Sequence, residues 1–152
     1  ALEIAKSLEQ SENSNITGSV ADVYAKEGDE NYQQYFETKL RSITGVGKYS
    51  MFYYYANYLS RMDKNIVLKG IQTIEEQGMA TESHFLTSAA KGSLKRIAKL
   101  FEDKKKRTQS QSAEGGSAKA EQQQKVSEYD LIVSAANDDV ARLGKKHDAA
   151  KE

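Results

Sequence analysis

The chain contains no proline in 152 residues, where average usage of roughly 5% would place about seven. Proline ends or kinks a helix because it lacks an amide donor and its ring clashes with the preceding turn. Its absence leaves helices free to run long, and an all-α fold is the expectation. No stretch approaches the roughly 18 consecutive apolar residues that a membrane span requires.

The core has to be thin. Leu, Ile, Val and Phe together make 29 of 152 residues, about 19%, a share at the border with disordered chains. Two features favour folding: the formal net charge is zero, and nine Tyr add rings that can be buried with their hydroxyls paired. There is no Cys, so neither a disulfide nor a thiolate metal site supports the fold. Ala stands at position 1, which suggests a processed chain whose targeting peptide is gone.

Periodicity predicts four helices. Residues 1–18 read as a loosely held N-terminal arm with a turn or two of helix. The formal sequon at Asn15-Ile16-Thr17 is given no weight. Ser19 with Asp22 suggests a helix start, and Tyr32, Tyr35, Phe36, Leu40 and Ile43 then recur at steps of three and four over 19–44. Gly28-Asp29 is a point where that helix can kink or restart. A second helix is predicted over 48–77, with Phe52, Tyr55, Ala56, Leu59 and Met62 continued by Val67, Ile71 and Ile74, and Gly78 as its C-cap. A third starts at Thr81, carries Phe85, Leu86, Ala89, Ala90, Leu94, Ile97, Leu100 and Phe101, and ends in the basic run Lys104 to Arg107. The polar stretch 108–120, containing Gly115-Gly116, reads as a flexible connection. Beyond it, Val126, Tyr129, Val133, Ala136, Val140 and Leu143 form a seam of period 3.5. The expectation is a single domain over 19–152, an up-down-up-down four-helix bundle.

Catalytic constellations are scarce. The two histidines, His84 and His147, lie on different predicted helices without a metal-ligating companion at helical spacing. No Ser sits in a nucleophile-elbow context. Thr44-Gly45-Val46-Gly47-Lys48 shares part of a phosphate-binding loop, but the first Gly and the Ser or Thr after Lys are missing, and a helix–helix turn accounts for both glycines. The reading is non-enzymatic, with no catalytic residue, metal site or cofactor; a clustered buried acid site would revive an enzymatic one.

Charge, by contrast, is strongly segregated. Residues 1–37 hold eight acids and two bases, 38–74 six bases and one acid, 75–90 three acids, and 91–107 eight bases and two acids. Residues 108–152 hold six bases and eight acids. Lys91, Lys95 and Lys99 stand four apart and so form one ridge, which Arg96, Lys104, Lys105, Lys106 and Arg107 extend. Such a ridge is either a solvated helix face or an electrostatic docking face for an acidic protein surface. Nucleic acid is disfavoured, because the domain is not basic overall. Tyr49, Tyr53, Tyr54, Tyr55 and Tyr58 crowd the second helix; Phe52, Tyr55 and Leu59 are assigned to the core, Tyr54 and Tyr58 to its margin, and Tyr53 and Tyr54 are candidates for a partner surface.

Three segments resemble one family in order along the chain. Ala56-Asn57-Tyr58-Leu59-Ser60-Arg61-Met62-Asp63-Lys64-Asn65-Ile66-Val67 resembles the second-helix segment of the Q-type extrinsic subunits of photosystem II, with one extra residue after the Leu. Lys91-Gly92-Ser93-Leu94-Lys95 with Lys99-Leu100-Phe101 resembles that family's third helix, and Ser134 to Gly144 its C-terminal helix. Plant members carry a proline-rich N-terminal segment, so the likeness is to an algal variant that binds the core directly. The resemblance implies a four-helix bundle in the chloroplast thylakoid lumen, peripheral to the membrane. There it would dock on photosystem II core subunits beside other extrinsic subunits, and stabilise calcium and chloride retention at the oxygen-evolving complex without ligating metal. The alternative from another class is a helical adaptor that binds a partner helix through an opened last helix.

Overall fold

The computed structural model describes residues 1–110 and 116–151, and these are all-helical, with no strand among them. Among the described residues seven α-helices form in place of the four expected: α1 (Leu2–Ser7), α2 (Ser14–Glu27), α3 (Gln33–Ser42), α4 (Gly45–Leu59), α5 (Lys64–Ala80), α6 (His84–Ser110) and α7 (Gly116–Lys151). The segment expected as a loose arm therefore holds α1 and the start of α2. The helix begins five residues ahead of Ser19, because the Asn13 side chain accepts from the Asn15 and Ile16 amides and satisfies two of the donors that a helix start leaves unpaired. Ser19 instead donates its hydroxyl to the Asn15 carbonyl inside the helix.

The expected helices over 19–44 and 48–77 both break. Gly28 caps α2 in the left-handed conformation at φ 68°, which glycine adopts at little cost, and a 3-10 turn at Glu30–Tyr32 leads into α3. The second break has neither Gly nor Pro. The Arg61 and Met62 amides bond back only three residues, to Tyr58 and Leu59, which tightens the chain until extended Asp63 starts α5. Gly78, expected as a C-cap, lies buried within α5.

Named contacts give the directions. Lys48 on α4 reaches Gln77 on α5, and Leu59 packs on Gly70, so α4 and α5 run antiparallel. Gly18 faces Tyr54 and Gly28 faces Arg61, so α2 and α4 run parallel. Tyr49 meets Phe85 and Phe52 meets Ser93, so α6 runs parallel to both. On the other side, Gln33 reaches Ile66 and Glu37 reaches Thr73, while Glu75 pairs with Arg142 and Gly78 with Lys146. The result is two layers, α2-α4-α6 and α3-α5-α7, made by stacking three helical hairpins.

Burial repeats along this stack. A step of 34 residues takes Tyr24 to Tyr58, Asp29 to Asp63 and Asn31 to Asn65, and the same step takes buried Thr17, Ala21, Ala25, Gln33, Phe36, Glu37 and Leu40 to buried Met51, Tyr55, Leu59, Val67, Gly70, Ile71 and Ile74. One residue more takes Met51, Phe52, Tyr55, Tyr58, Leu59 and Met62 to Leu86, Thr87, Ala90, Ser93, Leu94 and Ile97, again all buried. Helical-hairpin solenoids repeat at about 33 to 47 residues, each unit burying one face on its neighbour.

Aromatic rings fill the first two hairpins. Phe36 stacks on Tyr55 at 5.2 Å and packs against Tyr58 at 4.8 Å. Tyr58 is wholly buried rather than marginal, because its hydroxyl reaches the Asp29 carbonyl and can be taken out of water without loss. On α6, Leu86, Ala90, Leu94, Ile97 and Phe101 are buried as expected, whereas Phe85 points outward. The last helix is closed on α5 and α6. Its buried stripe is Ile132, Ala136, Asp139 and Leu143, so only Ala136 and Leu143 of the expected seam are fully covered. Of the expected flexible connection, 108–110 belong to α6 and 116–120 to α7, and 111–115 lie outside the described residues.

Candidate docking groove

Between α4 and α6 runs a groove of about 330 Å³, lined by Tyr49, Ser50, Tyr53 and Tyr54 from α4 and by Ser88, Ala89, Gly92, Ser93 and Arg96 from α6. Its cause is a mismatch of side-chain size. The α6 positions facing the tyrosines are small, and a Cβ added at Gly92 would meet nothing within 4 Å. Ser93 turns its hydroxyl inward to the Phe52 carbonyl at 2.8 Å, which pins the two helices below the groove.

Val46, Tyr49 and Tyr53 stand three and four apart and form one stripe along α4, with relative exposures of 71%, 43% and 49%. Phe85, 53% exposed, stacks on Tyr49 at 4.5 Å between ring centroids. Tyr53 meets Tyr54 edge-on at 5.6 Å, and Tyr54 leans over Gly18 of α2. Four large apolar side chains thus lie in one open strip.

The other end is cationic. Arg96 lies over the Tyr53 ring at 4.9 Å from its centroid, and its Nε donates to Asn57 Oδ1 at 2.7 Å. The Asn57 carbonyl accepts from Arg61 Nη1 at 3.4 Å, and Arg61 also donates to the Ala25 carbonyl at 3.2 Å. Lys104 caps the end of α4 by donating to the Ser60 carbonyl, with its ammonium over the Phe101 ring. Burial lowers the Lys104 pKa first, and the neighbouring charges of Arg107 and Arg61 lower it further.

The structure thus brings together three of the residues singled out from sequence, Tyr53, Tyr54 and Arg96, and places the others along α6. Lys91 is half-buried, and Lys95, Lys106 and Arg107 are exposed without an ion pair among the described residues. Lys99 pairs with Asp103 at 3.7 Å and Lys105 with Asp130 of α7 at 2.7 Å. Lys104 and Lys105 are occupied in holding helices together, so the outward ridge is shorter than the sequence implies. Val46, Tyr49, Phe85, Asn57 and Arg61 were missed. The tyrosine run pointed to the first end of the groove, but only the parallel packing of α4 and α6 shows that Phe85 joins it.

Among the described residues no acid pair stands near the groove, and the buried carboxylates are Glu37, which accepts from Tyr55 and Thr73 hydroxyls, and Asp139, paired with Arg142. They belong to different layer contacts. Among the described residues no three His, Asp or Glu are placed to hold a metal ion. The Thr44–Lys48 stretch is the start of α4 rather than a helix–helix turn: Thr44 stands at the N-cap, Gly45 at φ 64° opens the helix and Gly47 lies inside it, and Lys48 is buried against Gln77 Oε1 at 2.8 Å. The side chain of His147 lies outside the described residues. No helix among those described is long and apolar enough to cross a membrane. No known protein family matches this chain, and no curated protein or solved structure is significantly similar to it.

Proposed function

We propose that this chain is a non-catalytic docking module of stacked helical hairpins, which holds a partner protein along the groove between α4 and α6. The observation that carries this reading is the open strip Val46, Tyr49, Tyr53 and Phe85 beside unfilled space. Aromatic rings with an arginine at their edge are the residues that dominate protein interfaces, and a contiguous apolar strip costs solubility unless a partner covers it. A photoreactive phenylalanine analogue at position 53 or 85 should crosslink to one discrete protein in the cell of origin. The same analogue at Glu76, exposed on the other layer, should not. Indistinguishable patterns at both places would remove the groove from the reading.

A narrower reading is the lumenal extrinsic subunit of photosystem II. It is supported by two of the three resembling segments, Lys91 to Phe101 and Ser134 to Gly144, each lying within one helix, α6 and α7, packed side by side. The Ala56–Val67 segment instead spans the reversal between α4 and α5, which the resemblance to one helix does not anticipate. Rebinding to salt-stripped photosystem II is the test: saturable, salt-sensitive binding that restores oxygen evolution at limiting calcium and chloride supports it, and it should weaken on reversing Lys95 and Lys99. Absence of rebinding leaves the general docking module alone.

A further inference from the structure

The chain has five arginines. Arg41 and Arg142 are paired with carboxylates of the chain itself, at Glu37 and at Glu75 and Asp139. Arg61, Arg96 and Arg107 have no carboxylate partner among the described residues; Arg96 lines the α4 C-terminal end of the groove, Arg61 stands just after α4, and Arg107 lies about three helical turns beyond Arg96 on the same face of α6. Arg61 and Arg96 are joined through Asn57. Arg107 and Arg61 flank Lys104, which is anchored on the last turn of α4. The unmatched charge is therefore continuous with the aromatic strip and lies to one side of it.

Building on the docking reading, we infer that the groove's occupant is an acidic segment of a partner protein, with a bulky apolar residue seated between Tyr49, Tyr53 and Phe85 and carboxylates following toward Arg96, Arg61 and Arg107. Planar guanidinium groups grip carboxylates with two parallel hydrogen bonds, and Arg96 is held in place for this by Asn57 and the Tyr53 ring. From Val46 to Arg61 the helix rises about 22 Å at 1.5 Å per residue, a length that about seven extended residues cover at 3.3 Å each. The order of the two ends fixes the polarity of recognition: apolar anchor first at the Val46 end, acids at the Arg107 end.

The test uses the whole chain and three fluorescein-labelled decapeptides that share a Leu-Phe anchor and differ only in a following block of four residues: Asp/Glu, Ser/Gln or Lys/Arg. Titrations by fluorescence anisotropy at low ionic strength should show the acidic peptide binding at least about tenfold tighter than the neutral one, with the advantage largely screened at about 0.5 M salt. Arg96→Gln and Arg107→Gln should each reduce that advantage; the Arg107 side chain is exposed and without an ion pair among the described residues, so its variant stays informative if the other unfolds. Equal binding of the acidic and neutral peptides, still lost in Tyr53→Ala, overturns the acidic partner and keeps the groove. Binding that Tyr53→Ala and Phe85→Ala leave unchanged overturns both. Concentration-dependent dimerisation that Tyr53→Ala abolishes, seen by sedimentation, overturns the partner segment in favour of a second copy.

Discussion

The Arg96 guanidinium covers the Tyr53 ring at 4.9 Å while its Nε is held by Asn57 Oδ1, so a charge on α6 is fixed over an aromatic face on α4. A cation over an exposed ring contributes about 0.5–1 kcal/mol, and residues in direct contact deviate from additivity by about that amount or more. Tyr53→Leu and Arg96→Met should each destabilise slightly in urea, and the double variant should lose about 0.5–1 kcal/mol less than their sum. Strict additivity would mean that the arginine leaves the ring in solution and is not preorganised for a ligand.

The contact between the two layers at Glu37 is buried. Glu37, 4% exposed, accepts from the Tyr55 hydroxyl at 2.9 Å and the Thr73 hydroxyl at 2.7 Å, and Gln33 donates to Tyr55 at 3.0 Å and to the Ile66 carbonyl at 2.9 Å. Arg41 and Lys69 lie at 3.6 and 3.9 Å from the other carboxylate oxygen. Glu37→Leu strands two buried hydroxyls, at about 1–3 kcal/mol for each donor left unmade, and should lower stability by about 3 kcal/mol or more. Both hydroxyls donate to one carboxylate oxygen, so Glu37→Gln keeps an acceptor for both, loses only the pairs with the exposed Arg41 and Lys69, and should cost clearly less. Equal losses in denaturant titrations would show that the network is not what holds α3 on α4 and α5.

The all-helical class was legible because absence of proline and steps of three and four point the same way, and the split near Gly28 had its signal in glycine. The reversal at residues 60–63 had none of that kind. Leu59, Met62 and Val67 keep an apolar spacing that a single helix would also produce, so periodicity ran through a turn that only tertiary packing reveals. The 34-residue repeat was visible in Tyr24 and Tyr58, Asp29 and Asp63, and Asn31 and Asn65, yet its burial pattern was masked. Gln33 and Glu37 are polar where Val67 and Ile71 are apolar, because the first hairpin fills those places with the network around Tyr55. In the groove, the tyrosines and the arginine were each legible, but their meeting depends on α4 and α6 lying parallel side by side.

Close approach of the helices depends on glycine at two places and leaves it free at a third. A Cβ on Gly70 would stand 2.4 Å from Leu59 Cδ1, and one on Gly78 would stand 2.8 Å from Ala90 Cβ and 2.9 Å from Leu143 Cδ2. Overpacking costs about 1–3 kcal/mol, against about 1 kcal/mol gained in helix propensity, so Gly70→Ala and Gly78→Ala should both lower stability. Gly92→Ala meets open space and should raise it by up to about 1 kcal/mol. Urea midpoints that order the three variants differently would contradict the tight α4–α5 and α5–α6–α7 contacts.

Four tyrosines set the response to alkali. Burial, with Glu9 nearby, pushes the Tyr24 pKa up to about 12, and burial raises those of Tyr35, Tyr55 and Tyr58 further. Their folded-state values lie above the unfolded value near 10, so between the two the native state binds more protons than the unfolded one. Stability is then fully present below about pH 10 and falls as pH rises toward 12. Because these rings also form the packed contacts of Phe36 with Tyr55 and Tyr58, ionisation and unfolding should be one event. Phenolate absorbance of these four should appear together with loss of helical circular dichroism, above about pH 11, and Tyr24→Phe should shift that transition to higher pH provided its lost hydroxyl costs little. Phenolate titration of all nine tyrosines centred near pH 10 with helicity intact would show that these rings are open to solvent and that the aromatic core is not packed as described.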